Sequence, residues 1–183
     1  MNPDRVRERG LCFTAVCAAH IDGLELTFDK QSADHPHSGH ANVRRAPGAR
    51  VEGVLYELLD HDEIRRMDPF ERAPVNYSRE VFAVVTHGGP VQAWIYVANA
   101  AVRVADLRPE AAYLAHLLCG RRWLSPAYGE RLAHWPCAEP GDGPGSGLGT
   151  APSVRAGLGV DARSASRSAS RSTPQPPAGV PRS

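Results

Sequence analysis

Lysine is almost missing from this chain. Of 21 basic residues, Lys30 is the single lysine and the rest are arginine. That bias reads as a composition effect of the coding sequence rather than as chemistry. Charge of one sign is missing too. The 20 acidic residues leave a net charge of +1, so no long-range field draws the protein to nucleic acid or to an anionic membrane. No apolar run reaches the roughly 18 residues that a membrane-spanning helix needs. The opening Met1-Asn2-Pro3-Asp4-Arg5 has no apolar signal core, so the expected address is the cytoplasm. The four cysteines, Cys12, Cys17, Cys119 and Cys137, form no C-x-x-C pair and no zinc-ligand spacing. They read as reduced, mostly buried thiols. His35, His37 and His40 have only Asp34 as a nearby acid, and they read as a solvated loop rather than a metal site.

Aromatic residues stop at Trp135, and from Glu139 to Ser183 the chain is mostly Gly, Pro, Ser, Ala and Arg. Such a segment cannot bury enough apolar surface to offset its ordering entropy. The expected organisation is one domain over residues 1–136 and a disordered tail over 137–183. Within the tail, residues 163–172 repeat Arg, Ser and Ala. An RNA-binding or phosphorylatable tract is one reading, and a short biased tail is the favoured one.

Periodicity predicts a mixed α+β domain. Leu11 to Ala19 reads as a buried strand. Gly23 to Asp29 alternates, with Leu24, Leu26 and Phe28 on one face, so a hairpin turning near Asp22-Gly23 is expected. Gln31 to Gly39 is polar loop, and Val51 to Leu58 is another strand. Asp60 should cap a short helix with Glu63 as capping-box partner, and Pro69 should end it. That leaves Met67-Asp68-Pro69-Phe70-Glu71 as a carboxylate-bearing loop. Tyr77 to Thr86 and Val91 to Ala98 form a hairpin about His87-Gly88-Gly89-Pro90, with Trp94 and Tyr96 sharing a core-facing side. Two helices come after it. Pro109 starts the first, whose stripe is Leu114, Leu117 and Leu118, and Gly120 closes it. Ser125-Pro126 starts the second. The count is about five strands and three short helices.

Four stretches, in order, carry a family resemblance. Residues 1–9 resemble the segment immediately after a Y-G-S-N loop. Gly39-His40-Ala41-Asn42, then Pro47-Gly48 and Val51-Glu52-Gly53-Val54-Leu55-Tyr56, resemble a central block of the form A-N/T…P-G…V-x-G-V-l-y. Met67 to Glu71, with Tyr77-Ser78-Arg79 after it, resembles L-D-x-x-E-G with Y-x-R. Pro109 to Tyr113, Gly120 and Pro126-Ala127-Tyr128 resemble the closing helices. Together they resemble the gamma-glutamylcyclotransferase (AIG2-like) family. The resemblance implies a small mixed β-barrel with flanking short helices. It also implies conversion of a γ-glutamyl amide or peptide to 5-oxoproline plus a free amine by intramolecular aminolysis, with a small-molecule substrate and no cofactor.

Residue by residue, it implies Glu71 as the acid–base catalyst and Tyr113 and Asn42 as substrate contacts, with Tyr56 lining the same cavity. Residue type alone gives Tyr113 an equal claim to core packing and favours packing or turn roles for Asn42 and Tyr56. Glu71 would need its pKa raised by partial burial, with Phe70 as an apolar wall. Without the resemblance Glu71 would read as a surface acid paired to Arg72 or Arg79, and Asp68 as a structural helix-end group. Two departures stand out. Residue 1 falls just after the place of the family's Y-G-S-N loop, whose backbone N–H groups would form an anion-holding nest. Arg72 stands where the family usually has Gly. A chain lacking that nest would be a poor catalyst or a ligand-binding pseudoenzyme of the same fold. A third expectation is an unrelated small β-barrel interaction module with the Arg/Ser tail as its recruiting segment.

Overall fold

The computed structural model describes residues 2–139. The expected tail, apart from its first three residues, lies outside the described residues, and so does its Arg/Ser tract. Helix α1 (Pro3–Glu8) opens the chain. Strands β1 (Phe13–Gln31) and β2 (Gly39–Leu58) come next. After them are helix α2 (Glu63–Glu71), strands β3 (Tyr77–Thr86) and β4 (Gly89–Ala98), and helices α3 (Ala111–Leu118) and α4 (Pro126–Ala133). The strands form one four-stranded antiparallel sheet in the order β2-β1-β3-β4. The sheet is open, and the expected barrel does not close.

The local chemistry explains most of these elements. Asn2 accepts hydrogen bonds from the N–H groups of Asp4 and Arg5, with Pro3 in the first turn, and so caps α1. Sequence periodicity assigns no element here, although the Asn-Pro start is an ordinary cap signal. Ser125 caps α4 through Tyr128 N–H in the same way.

The expected hairpin at Asp22-Gly23 is absent. β1 runs for 19 residues, and both of its halves pair with β2. The register slips between Asp22 and Leu24, where Gly23 takes φ +78°. Opposite it, β2 carries Pro47-Gly48, with Gly48 at φ +84°. The two turn signals face each other across the ladder, so each is absorbed as a bulge and both strands bend together.

Helix α2 also differs from expectation. Asp60 Oδ1 does accept from the N–H groups of Asp62 and Glu63. The Glu63 carboxylate does not return to the cap. It is buried and accepts from Cys12 N–H at 2.9 Å, tying α2 to the start of β1. Pro69 does not end the helix. The helix continues to Glu71 and stops at Arg72, which is left-handed at φ +50°, with the N–H groups of Arg72 and Ala73 returning to the carbonyls of Asp68 and Pro69. Met67 to Glu71 is therefore the last turn of a helix rather than a loop, and helical geometry fixes the direction of Glu71.

Two apolar clusters hold the fold. Phe28, Leu114, Leu124, Tyr128 and Leu132 seat α3 and α4 on one end of β1. Ile21, Leu24 and Val84 join the middle of β1 to β3. Trp135 and Cys137 pack on the first cluster, and Ala138 N–H donates to Pro109 O. The cysteines are less buried than expected: Cys12, Cys17 and Cys119 are exposed and Cys137 is half-buried. Cys12 lies just before β1 and Cys17 within it. Trp94 and Tyr96 share a strand face, but Trp94 is exposed, with the Arg79 guanidinium over its ring. Among the described residues no helix is long and apolar enough to cross a membrane.

Candidate functional site

A cleft of about 1350 Å³ is lined by residues of α1, the ends of β1 and β2, α2, β3, β4 and α3. Glu71 reaches it from the last turn of α2. Its Oε1 accepts from Arg9 Nη1 at 3.0 Å, and Oε2 takes no hydrogen bond from any described residue. The partner expected from sequence was Arg72 or Arg79. Arg79 instead pairs with Asp68 at 3.3 Å, and Asp68 also accepts from Tyr96 O–H at 2.6 Å. Asp68 thus pins α2 to the β3–β4 hairpin, a structural role in line with its reading as a helix-end group. Arg9 holds Glu71 from the other side. The same guanidinium contacts Met67 Sδ at 3.3 Å and lies over the Phe70 ring. Phe70 is 51% exposed, so it serves as the platform for Arg9 and not as an apolar wall around Glu71.

Tyr113 lines the cleft from α3, where helical spacing sets it one residue from the buried Leu114. Its hydroxyl accepts from Ala41 N–H at 3.1 Å, while Tyr77 O–H donates to Ala41 O at 3.0 Å. Two phenols therefore clamp the backbone of one residue, Ala41, at a ladder irregularity of β2. The His40 ring stacks on Tyr113 with centroids 4.7 Å apart. Burial pushes both phenols above the ordinary tyrosine range, and the nearby Glu71 carboxylate adds to the effect. They stay neutral and able to hydrogen-bond at physiological pH. Burial, and then the Lys30 charge, pushes His40 down, so its ring is neutral there as well.

Asn42 is not brought to the cleft. It is 2% exposed, and its amide is committed on both sides. Oδ1 accepts from Ala98 N–H at 2.9 Å, and Nδ2 donates to Asp29 Oδ1 at 2.8 Å. It bridges β2 to the end of β4, where the open sheet offers no strand partner. Tyr56 does line the cleft, and its buried hydroxyl has no hydrogen-bond partner among the described residues. His35 pairs with Glu110 and stacks on His37 with ring centroids 6.1 Å apart, while His40 packs on Tyr113. Among the described residues no group of three or more metal-ligating side chains assembles.

Sequence reasoning misses Arg9 and Lys30. Arg9 meets Glu71 across 62 positions of chain, a separation at which no local pattern operates. Lys30, which composition alone marks as a trace of coding bias, is 5% exposed and lines the same cleft.

The α+β fold thus presents a helix-end carboxylate and two neutral phenols to one cleft. Solved structures place the fold. A protein described as gamma-glutamyl cyclotransferase superposes with a TM-score of 0.64 at 20% identity, covering 79% of this chain and 85% of that one. A human protein described as uncharacterized matches with a TM-score of 0.62 at 19% identity, over 74% of this chain and 81% of its own. YkqA from Bacillus subtilis matches with a TM-score of 0.64 at 18% identity, over 75% of this chain and 52% of its own. No curated protein matches by sequence. The family model for gamma-glutamyl cyclotransferase, AIG2-like, covers residues 4–115, and the chain belongs to that family.

Proposed function

We propose that this protein is a gamma-glutamylcyclotransferase that releases 5-oxoproline and a free amine from a γ-glutamyl amide or peptide in the cytoplasm. The observation that carries the reading is Glu71. It matches the acid of the family motif, projects from a rigid helix end into the cleft, and keeps Oε2 unbonded among the described residues.

In this reaction the α-amino group of the γ-glutamyl unit attacks its own γ-carbonyl carbon. Glu71 takes a proton from the α-ammonium, the freed amine closes the ring, and the ring nitrogen then gives up a second proton as the C–N bond to the leaving group breaks. Both protons pass to the departing nitrogen, one of them through the Glu71 carboxyl, so the products are the 5-oxoproline carboxylate and an ammonium. Tethering of both reacting groups in one small molecule supplies proximity without a second substrate. Tyr77 and Tyr113 line the cleft and hold Ala41 of β2, and a neutral phenol can in addition donate to a substrate oxygen. The route calls for no metal, organic cofactor or macromolecular partner. The near-neutral net charge of +1 agrees with a small-molecule substrate rather than nucleic acid.

One observation favours the second reading, a ligand-binding pseudoenzyme: Arg9 already occupies Oε1 of the proposed catalyst. The two are separated by incubating the protein with a γ-glutamyl dipeptide and measuring both heat of binding and 5-oxoproline. Binding with turnover supports the enzyme. Binding without product supports the pseudoenzyme, and neither signal removes both.

A further inference from the structure

Lys30 is the chain's single lysine, and it is buried, with 5% relative exposure. It stands near the end of β1 opposite His40 of β2. Its ammonium lies 5.7 Å from the centre of the Tyr77 ring, inside the cleft that also holds Glu71. Lysine is seldom buried without a partner, yet among the described residues no carboxylate lies within ion-pairing distance of it. The acid closest in function, Glu71, is bound to Arg9 instead. Arg5 and Arg72 also line the cleft with no paired carboxylate among the described residues, but they are more exposed. Desolvation pushes the Lys30 ammonium below the ordinary lysine range, while the Glu71 charge opposes that shift. A cation kept in such a place gains most from an anion that arrives with a ligand.

We infer that Lys30 binds the α-carboxylate of the γ-glutamyl substrate while Glu71, in the same cleft, faces the α-ammonium. This rests on the proposed γ-glutamyl reading. A γ-glutamyl head is a zwitterion, and the cleft supplies one buried cation without an anion and one carboxylate with a free oxygen. The α-carboxylate takes no part in ring closure and survives unchanged as the carboxylate of 5-oxoproline. Lys30 therefore holds substrate, transition state and product alike. Its contribution is to KM and product affinity rather than to kcat.

The test compares wild type, Lys30→Met and Lys30→Arg, with folding of each checked by circular dichroism. The ligands are a γ-glutamyl dipeptide for turnover, and 5-oxoproline and 5-oxoprolinamide for calorimetry. Lys30→Met is expected to raise KM and to weaken 5-oxoproline by about tenfold or more. It should leave kcat within about threefold of wild type and 5-oxoprolinamide affinity unchanged, while Lys30→Arg recovers part of the loss. Equal 5-oxoproline affinity in wild type and Lys30→Met overturns the assignment. So does equal affinity of wild type for the acid and the amide, a comparison that needs no variant. Wild type that binds 5-oxoproline through Lys30 but never forms it would refute the catalytic reading and leave the carboxylate site standing. Wild type that binds none of the three ligands overturns both.

Discussion

Replacing Asn42 with alanine removes a side chain that hydrogen-bonds the start of β2 to the end of β4. Two buried bonds are lost: Ala98 N–H to Oδ1 at 2.9 Å and Nδ2 to Asp29 Oδ1 at 2.8 Å. Neither former partner has a ready substitute. Ala98 is buried at 5% exposure, so water does not easily replace the amide oxygen. A buried donor left unsatisfied costs about 1–3 kcal/mol, and Asp29 loses a further hydrogen bond, although Thr27 O–H still donates to it. The sum is about 3 kcal/mol. With a urea m-value of about 2 kcal/mol/M, the midpoint should fall by about 1.5 M. The assay is urea denaturation monitored by tryptophan fluorescence, paired with KM for a γ-glutamyl dipeptide at low denaturant and low temperature. A loss below about 1 kcal/mol, or an unchanged midpoint with a much raised KM, would refute the reasoning. The second result would return Asn42 to the substrate-contact role that the family resemblance implies.

Other expectations rest on single observations. Arg72→Gly should stabilise the protein by about 0.5–1 kcal/mol, because Arg72 holds φ +50° at the end of α2 and glycine adopts that conformation without steric cost; denaturant midpoints will read it. Gly39→Ala should cost about 3 kcal/mol or prevent folding, because a Cβ there would sit 1.7 Å from the Phe28 carbonyl oxygen. Soluble yield and thermal melting will show which. Alkaline pH should unfold the chain cooperatively. Burial raises Tyr56 to about 12 and pushes Tyr77, Tyr96, Tyr113 and Tyr128 upward as well. Groups whose folded pKa is raised lend stability below the unfolded value of about 10, and that stability is lost as pH climbs past it. Tyrosinate absorbance near 295 nm should therefore appear together with unfolding, and a smooth titration of the folded protein would contradict this.

Legibility in the sequence tracks the range of the interaction. The β3–β4 hairpin, the Ser125 cap and the apolar stripe of α3 are set within a few residues, and the sequence shows them. Asp22-Gly23 looks like a hairpin because a turn signal carries no information about the strand across the ladder. Only Pro47-Gly48, some 25 positions away and facing it, turns it into a bulge. Pro69 reads as a helix stop because proline removes one ladder bond, but the left-handed Arg72 closes the last turn two residues beyond the expected end. In the site, Glu71 and Tyr113 are legible through the family motif. Asn42 is legible as a member of the central block, but its partners Ala98 and Asp29 are assembled only by the fold. Arg9 and Lys30 carry no motif of their own, and their meaning comes from the cleft they share with Glu71.

The most direct measurement is 5-oxoproline release from a γ-glutamyl dipeptide by wild type and by Glu71→Gln. The amide keeps the shape and the contact with Arg9 Nη1 but cannot shuttle a proton, so the rate should fall by about 10²–10⁴-fold while dipeptide affinity is kept within a few-fold. Equal rates from the two proteins would contradict the account.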